Sequence, residues 1–125
     1  MTSEQILTRD DLGQFIGSEQ LFRHGLSRKH LYTEGAQFVA ERAGAYWLLD
    51  KIALHGSPAI DREDFQVWKL EVTPERKATL ITSDGNDGIL KTEELPFTDF
   101  PLSAITLWAV RNEFDGFTIM LPGEY

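Results

Sequence analysis

Apolar and polar positions change their spacing near residue 56, from a helical period before it to strand alternation after it. Leu12, Phe15 and Ile16 fall at i, i+3 and i+4. Thr8 precedes them as an N-cap, Asp10 and Asp11 occupy the positive first turn, and Gly17 supplies a stop, which together predict a first helix. Leu21-Phe22-Arg23-His24 and Lys29-His30-Leu31-Tyr32-Thr33 flank Gly25-Leu26-Ser27-Arg28 and predict a small hairpin. From Glu34 to Leu54 the helical signal is strongest: Ala36, Val39, Ala40, Ala43 and Trp47 share one face, and Phe38, Ala45, Leu49 and Ile52 mark a second. A helix apolar on so many sides is a buried one. Gly44 is the point where it would kink or divide, and His55-Gly56-Ser57-Pro58 ends it.

Beyond this point period two takes over. In Phe65–Thr73, Trp68, Leu70 and Val72 point one way, and Val67, Lys69, Glu71 and Thr73 the other. Thr73-Pro74-Glu75-Arg76 predicts a turn, Ala78–Ser83 a strand, Asp84-Gly85-Asn86-Asp87-Gly88 a hairpin turn, and Ile89–Leu95 the return strand. After an extended aromatic connection from Pro96 to Pro101, Ile105–Arg111 and Phe117–Leu121 predict a last hairpin around Asn112–Gly116. Helices followed by strands imply a single α+β domain over residues 1–125, with residues 1–7 a flexible lead. The N-terminal helices are expected on one face of a C-terminal antiparallel sheet of about five strands, arranged as a meander, with the other face open as an interaction surface.

Composition narrows the function classes. The chain of 125 residues has 42% hydrophobic and 26% charged positions, which is globular rather than disordered. With no cysteine, a disulfide framework, a thiolate zinc site and a cysteine nucleophile are excluded. The amino terminus carries no signal-peptide pattern and no apolar run is long enough to span a bilayer, so a soluble, cytoplasmic protein without membrane association is expected. The net charge of −8 is uneven, at −1 over residues 1–60 and −7 over residues 61–125. Such a surface repels phosphate backbones, arguing against general nucleic-acid binding and leaving a basic partner, or mimicry of nucleic acid, as options.

Candidate chemistry is sparse. His24 and His30 could meet across the small hairpin, yet two imidazoles beside Arg23, Arg28 and Lys29 make a poor divalent-metal site, and surface histidines are the simpler expectation. Asp84 to Gly88 fails the calcium-loop pattern, because positions 5, 6 and 12 from Asp84 are Gly88, Ile89 and Leu95. Neither Glu93-Glu94 nor Asp61 to Asp64 is a carboxylate pair with catalytic spacing, and no nucleophile elbow or phosphate loop is present. No catalytic residue, metal or cofactor is assigned. Most of the aromatics, Trp47, Trp68 and Trp108 among them, are expected in the core. Asp50 stands out: it lies in the most apolar helix, and is either a partnered buried carboxylate or part of a wet stripe with Lys51.

Gly44-Ala45-Tyr46-Trp47-Leu48-Leu49-Asp50, Phe65-Gln66-Val67-Trp68-Lys69-Leu70, Thr98-Asp99-Phe100-Pro101-Leu102 and Leu121-Pro122-Gly123-Glu124-Tyr125 form a set. As a set they resemble a family of small uncharacterised bacterial proteins, also found on plasmids and phages and classed as a domain of unknown function. The resemblance runs from about Leu12 to Tyr125, with Gly123 where relatives carry serine, and implies a free-standing domain without an assigned activity. It directs attention to polar residues within apolar segments, and gives a candidate binding patch of Tyr46, Asp50, Trp68, Asp99 and Tyr125. Tyr125 is expected either to dock at a sheet edge or to present a carboxylate to a partner.

Two functions follow as expectations. One is a small acidic, non-catalytic accessory protein that binds another protein. The other is a small-molecule-binding domain or weak enzyme, with a pocket between the 44–54 helix and the strands carrying Trp68 and Trp108, holding Asp50 or Asp99. A filled core with Asp50 exposed would argue against the second. The protein is expected to be a monomer, or a homodimer paired through an edge strand such as Phe117–Leu121.

Overall fold

A computed structural model describes residues 7, 8, 12, 20–86 and 88–125. The first predicted helix and its Gly17 stop, like residues 1–6, lie largely outside this set. Leu7, expected in a flexible lead, is fully buried in the core.

Seven strands form one mixed sheet: β1 Leu21–Arg23, β2 Leu31–Thr33, β3 Phe65–Val72, β4 Ala78–Ser83, β5 Ile89–Leu95, β6 Ala104–Arg111 and β7 Phe117–Met120. Their order across the sheet is β1-β2-β7-β6-β3-β4-β5. The five alternating segments are the five strands β3 to β7, and the small hairpin adds β1 and β2 to bring the total to seven. The expected purely antiparallel meander does not form. β3 pairs with β6 rather than handing on only to β4, and β2 lies parallel to β7. β7 is therefore an interior strand, and the two edges are β1 and β5.

The long helical pattern resolves into two helices, α1 Glu34–Ala43 and α2 Tyr46–Ala53. Gly44 divides them in the left-handed region, at φ 61°. Its N–H bonds Glu41 O and the Ala45 N–H bonds Ala40 O at 2.8 Å, the paired closure of a Schellman motif. A one-turn helix, α3 Pro58–Asp61, follows, capped by the Ser57 hydroxyl accepting from Ile60 N–H.

Val39, Ala40, Leu48, Leu49 and Ile52 of the helices share one core with Leu70, Leu80, Leu107 and Ile119 of the sheet. Each such Leu or Ile contributes about 1.5–3 kcal/mol by burial. The buried polar side chain of Gln66 is satisfied within this core: its Nε2 donates to Ile60 O at 2.8 Å, and its Oε1 accepts from Trp68 Nε1 at 2.9 Å. The opposite sheet face carries the other strand parity, including Phe65, Val67, Ile81, Trp108 and Val110, all part-exposed.

The N-terminal hairpin is held against the β6–β7 turn. His24 N–H bonds His30 O, Asn112 Nδ2 donates to Lys29 O, and Gly116 lies under the same loop. A Cβ on Gly116 would sit 2.2 Å from Lys29 O and 2.5 Å from His30 Nδ1. Because one obstacle is backbone, Gly116→Ala is expected to cost about 2–3 kcal/mol or more in denaturant unfolding. At Gly44, where space is open and only the left-handed φ matters, alanine is expected to cost about 1 kcal/mol. Equal losses at the two positions would refute this account of the hairpin's seat.

Candidate functional site

The C-terminal segment is set by one carboxylate. A turn of 3-10 helix, Pro122–Glu124, follows β7 and brings Glu124 back onto the start of α1. Glu124 Oε1 accepts from the Thr33 hydroxyl at 2.6 Å and from Leu121 N–H at 2.8 Å, and Oε2 accepts from Gly35 N–H at 2.9 Å. A helix N-terminus favours an anion there, and Thr33 itself caps Ala36 N–H. Tyr125 is thereby laid on the sheet face that does not contribute to the helix-facing core.

On that face three rings form a ridge. Phe65 and Trp108 meet edge to face with centroids 4.9 Å apart, and the Tyr125 ring stands 5.8 Å from Phe65 and 5.4 Å from Trp108. Such pairs favour this geometry and hold one another upright. Tyr125 is 75% exposed at the crest. At the β6–β7 end, Asp64 and Asp115 are 81% and 90% exposed, and both lean on the one guanidinium of Arg111, at 2.9 and 3.6 Å. The ridge therefore ends beside two exposed carboxylates.

The five residues singled out from the sequence do not share one surface. Trp68 is 3% exposed, in the core beneath the helices, with His55 tilted against its ring at 5.9 Å. Tyr125 lies across the sheet from it. Trp68 and Trp108 occupy opposite strand parities, β3 Trp68 pairing with Leu107 and Val67 with Trp108, so no pocket can be lined by both tryptophans. Tyr46 donates its hydroxyl to Glu41 at 2.8 Å and packs edge to face on Tyr32. Desolvation, and then the Glu41 carboxylate, push its phenol up to about 12. Asp50 is half exposed and accepts from His24 Nε2 at 2.8 Å, neither an orphan in the core nor paired with Lys51, which bonds Glu93 instead. Asp99 is exposed in a shallow recess of about 290 Å³ between α2 and the end of β5, with Trp47, Lys51, Leu95, Phe97 and Thr98. Phe65 and Trp108, the base of the ridge, were not among the five. Their shared parity with Val67 and against Trp68 was the available signal.

The three histidines follow one rule: each accepts a backbone N–H at Nδ1. His24 takes Leu26 and Ser27, His30 takes Phe117, and His55 takes Ser57. The proton of each neutral ring is thus placed on Nε2. His24 and His30, expected at the surface, are buried. His30 and His55 line a cleft of about 340 Å³ with Lys29, Ser57 and Asp61. Among the described residues no three His, Asp or Glu side chains are grouped to hold a metal ion.

Burial lowers both cleft imidazoles below the ordinary 6.5; Lys29 adds to the shift at His30, and Asp61 opposes it at His55. The unfolded chain then takes up these protons at higher pH than the folded one. Their contribution is complete above about pH 6.5 and is lost as the pH falls below it toward the lowered folded values. Unfolding midpoints of wild type are expected to decline over that range more steeply than those of His55→Gln. Identical pH slopes for the two proteins would show that His55 is not a source of the dependence.

No curated protein matches the chain, and no solved structure does. Residues 6–125 match a family model that spans the sheet, the helices and the aromatic ridge alike. The chain belongs to the family of unknown function DUF6876.

Proposed function

We propose that this protein is a small acidic, non-catalytic accessory protein of the bacterial cytoplasm that binds another protein through the Phe65–Trp108–Tyr125 ridge. The observation that carries the reading is the ridge itself: three mutually braced rings on a sheet face, with Tyr125 at the crest 75% exposed. Aromatic side chains supply large contact area at small conformational cost, which is why they dominate binding hot spots. The partner that fits is a basic segment. Guanidinium and ammonium groups stack on ring faces, and the exposed carboxylates of Asp64 and Asp115 offer them acceptors at the end of the ridge. The −8 net charge adds long-range steering toward the same class of partner.

A second reading, a small-molecule site between α2 and the sheet, has the recess at Trp47, Lys51, Phe97 and Asp99 in its favour. Its volume lies at the lower limit for ligand pockets. It retains Asp99 from the sequence expectation but neither Trp68, which is in the core, nor Asp50, whose carboxylate is half exposed and bonded to His24.

Photo-crosslinking in the producing cells separates the two. With a benzophenone side chain at position 125, one discrete protein adduct is expected, reduced at least about tenfold by Trp108→Ala, a loss of hot-spot size. The adduct should also weaken with salt. An equally strong adduct from the same group at position 97, or none from position 125, would defeat the ridge reading. A small molecule seen by native mass spectrometry of the gently purified protein, and lost on Trp47→Ala, would establish the recess instead.

A further inference from the structure

Among the described residues the sheet stops at β5, and none of them pairs with its outer edge. Among the described residues no backbone–backbone hydrogen bond reaches Ile89–Leu95 from beyond the β4 side. The opposite edge, β1, is only three residues long. β5 is seven residues long, with Ile89 63% exposed. A long unpaired edge with an exposed apolar end is a template for another strand.

We infer that β5 pairs antiparallel with β5 of a second copy of this chain about a two-fold axis at Thr92, joining two sheets into one. The residues of β5 select both the partner and the register. In an antiparallel pair, opposed residues must share strand parity, so a dyad at the strand's centre falls on Lys91, Thr92 or Glu93. A dyad at Lys91 opposes two lysines, and one at Glu93 opposes two glutamates. A dyad at Thr92 opposes Lys91 to Glu93 twice over and sets Thr92 against Thr92. Opposite charges directly across a strand pair stabilise it and like charges destabilise it.

The neighbouring chemistry agrees. Glu93 already accepts from Lys51 Nζ at 2.8 Å on the helix side of the sheet, so its position is fixed. Its neighbour on the same face, Lys91, is exposed and has no ion pair among the described residues. Pairing supplies that lysine with a positioned carboxylate, and gives the Lys51–Glu93 pair a second cation. The irregularity in β5 is confined to its start, between the Lys91 and Ile89 pairings with β4, and leaves Lys91 to Leu95 in regular register.

The test is sedimentation of the full chain from low to high micromolar concentration. Wild type is expected to pass from monomer to dimer. Lys91→Glu alone and Glu93→Lys alone each create two like-charge pairs, and each should raise the dimer dissociation constant about tenfold or more. Mixed in equal amounts, the two variants form a heterodimer in which one strand is acidic at positions 91 and 93 and the other is basic at both. Both opposed pairs are then again of opposite sign, so association should return to near the wild-type value. A wild type that stays monomeric, a variant that dimerises as wild type does, or a mixture no tighter than its components overturns the proposal. Hydrogen exchange of wild type alone gives an independent reading: β5 amides should slow as concentration rises, and unchanged β5 exchange in a sample that sediments as a dimer would place the contact elsewhere and refute it.

Discussion

The Glu124 carboxylate joins the two halves of the sequence. Local turns join β3 to β4, β4 to β5 and β6 to β7, whereas the backbone ladder that ties the β1–β2 hairpin to the rest of the sheet is the parallel pairing of β2 with β7. Two residue pairs make that ladder, Leu31 with Thr118 and Tyr32 with Ile119, which is short for a parallel contact. Glu124 reinforces it at its end, where it accepts hydrogen bonds from the Thr33 hydroxyl, the Gly35 N–H and the Leu121 N–H. Charge-assisted bonds of this kind are stronger than neutral ones, and this carboxylate also faces the positive end of α1. The same contact fixes Tyr125 beside Phe65 and Trp108. Joining the halves and completing the ridge are thus consequences of one side chain.

Much of the fold was legible where the physics is local. Alternation placed β4 and β5 to the residue and β3, β6 and β7 within one residue at an end. Gly44 marked the division of the helical pattern, because only glycine takes φ 61° there without strain. What could not be read was set by contacts far apart in sequence. The parallel β2–β7 pair, the insertion of β6 beside β3 and the count of seven strands depend on which apolar faces find one another, and the period of each segment is silent on that choice. The candidate site failed for a related reason. In β3 both parities are partly apolar, Trp68 and Leu70 against Phe65 and Val67, so a period-two pattern could not say which tryptophan faced the helices. Asp50 was recognised as out of place, but its partner His24 lies 26 residues away on another element.

The histidines illustrate how ionisable groups can be absorbed by a fold of this size. Each of the three accepts a backbone N–H near a turn that would otherwise leave that donor unpaired, doing at loops what serine or aspartate does at helix ends. This use requires a neutral Nδ1, which burial favours for His30 and His55. It also ties the His30–Phe117 contact and the His55–Pro58 segment to the neutral state of His30 and His55, so mild acid acts on the fold at the cleft.

The ridge and the β5 edge have a joint geometric consequence. A two-fold axis normal to the sheet at β5 keeps the outer faces of both copies on the same side, so the two ridges look in one direction. Trp108 lies on β6, three strands in from β5, and seven strand spacings separate the two copies of it, roughly 34 Å before twist. A partner with a single basic segment would meet one ridge at a time. A partner with basic segments repeated at that spacing would engage both, and the second contact would form at the high effective concentration that a shared scaffold confers. Dimerisation through an edge that carries no aromatic residue would in this way govern the strength of binding at a face it does not touch, and the acidic charge of two chains would add to the same steering field.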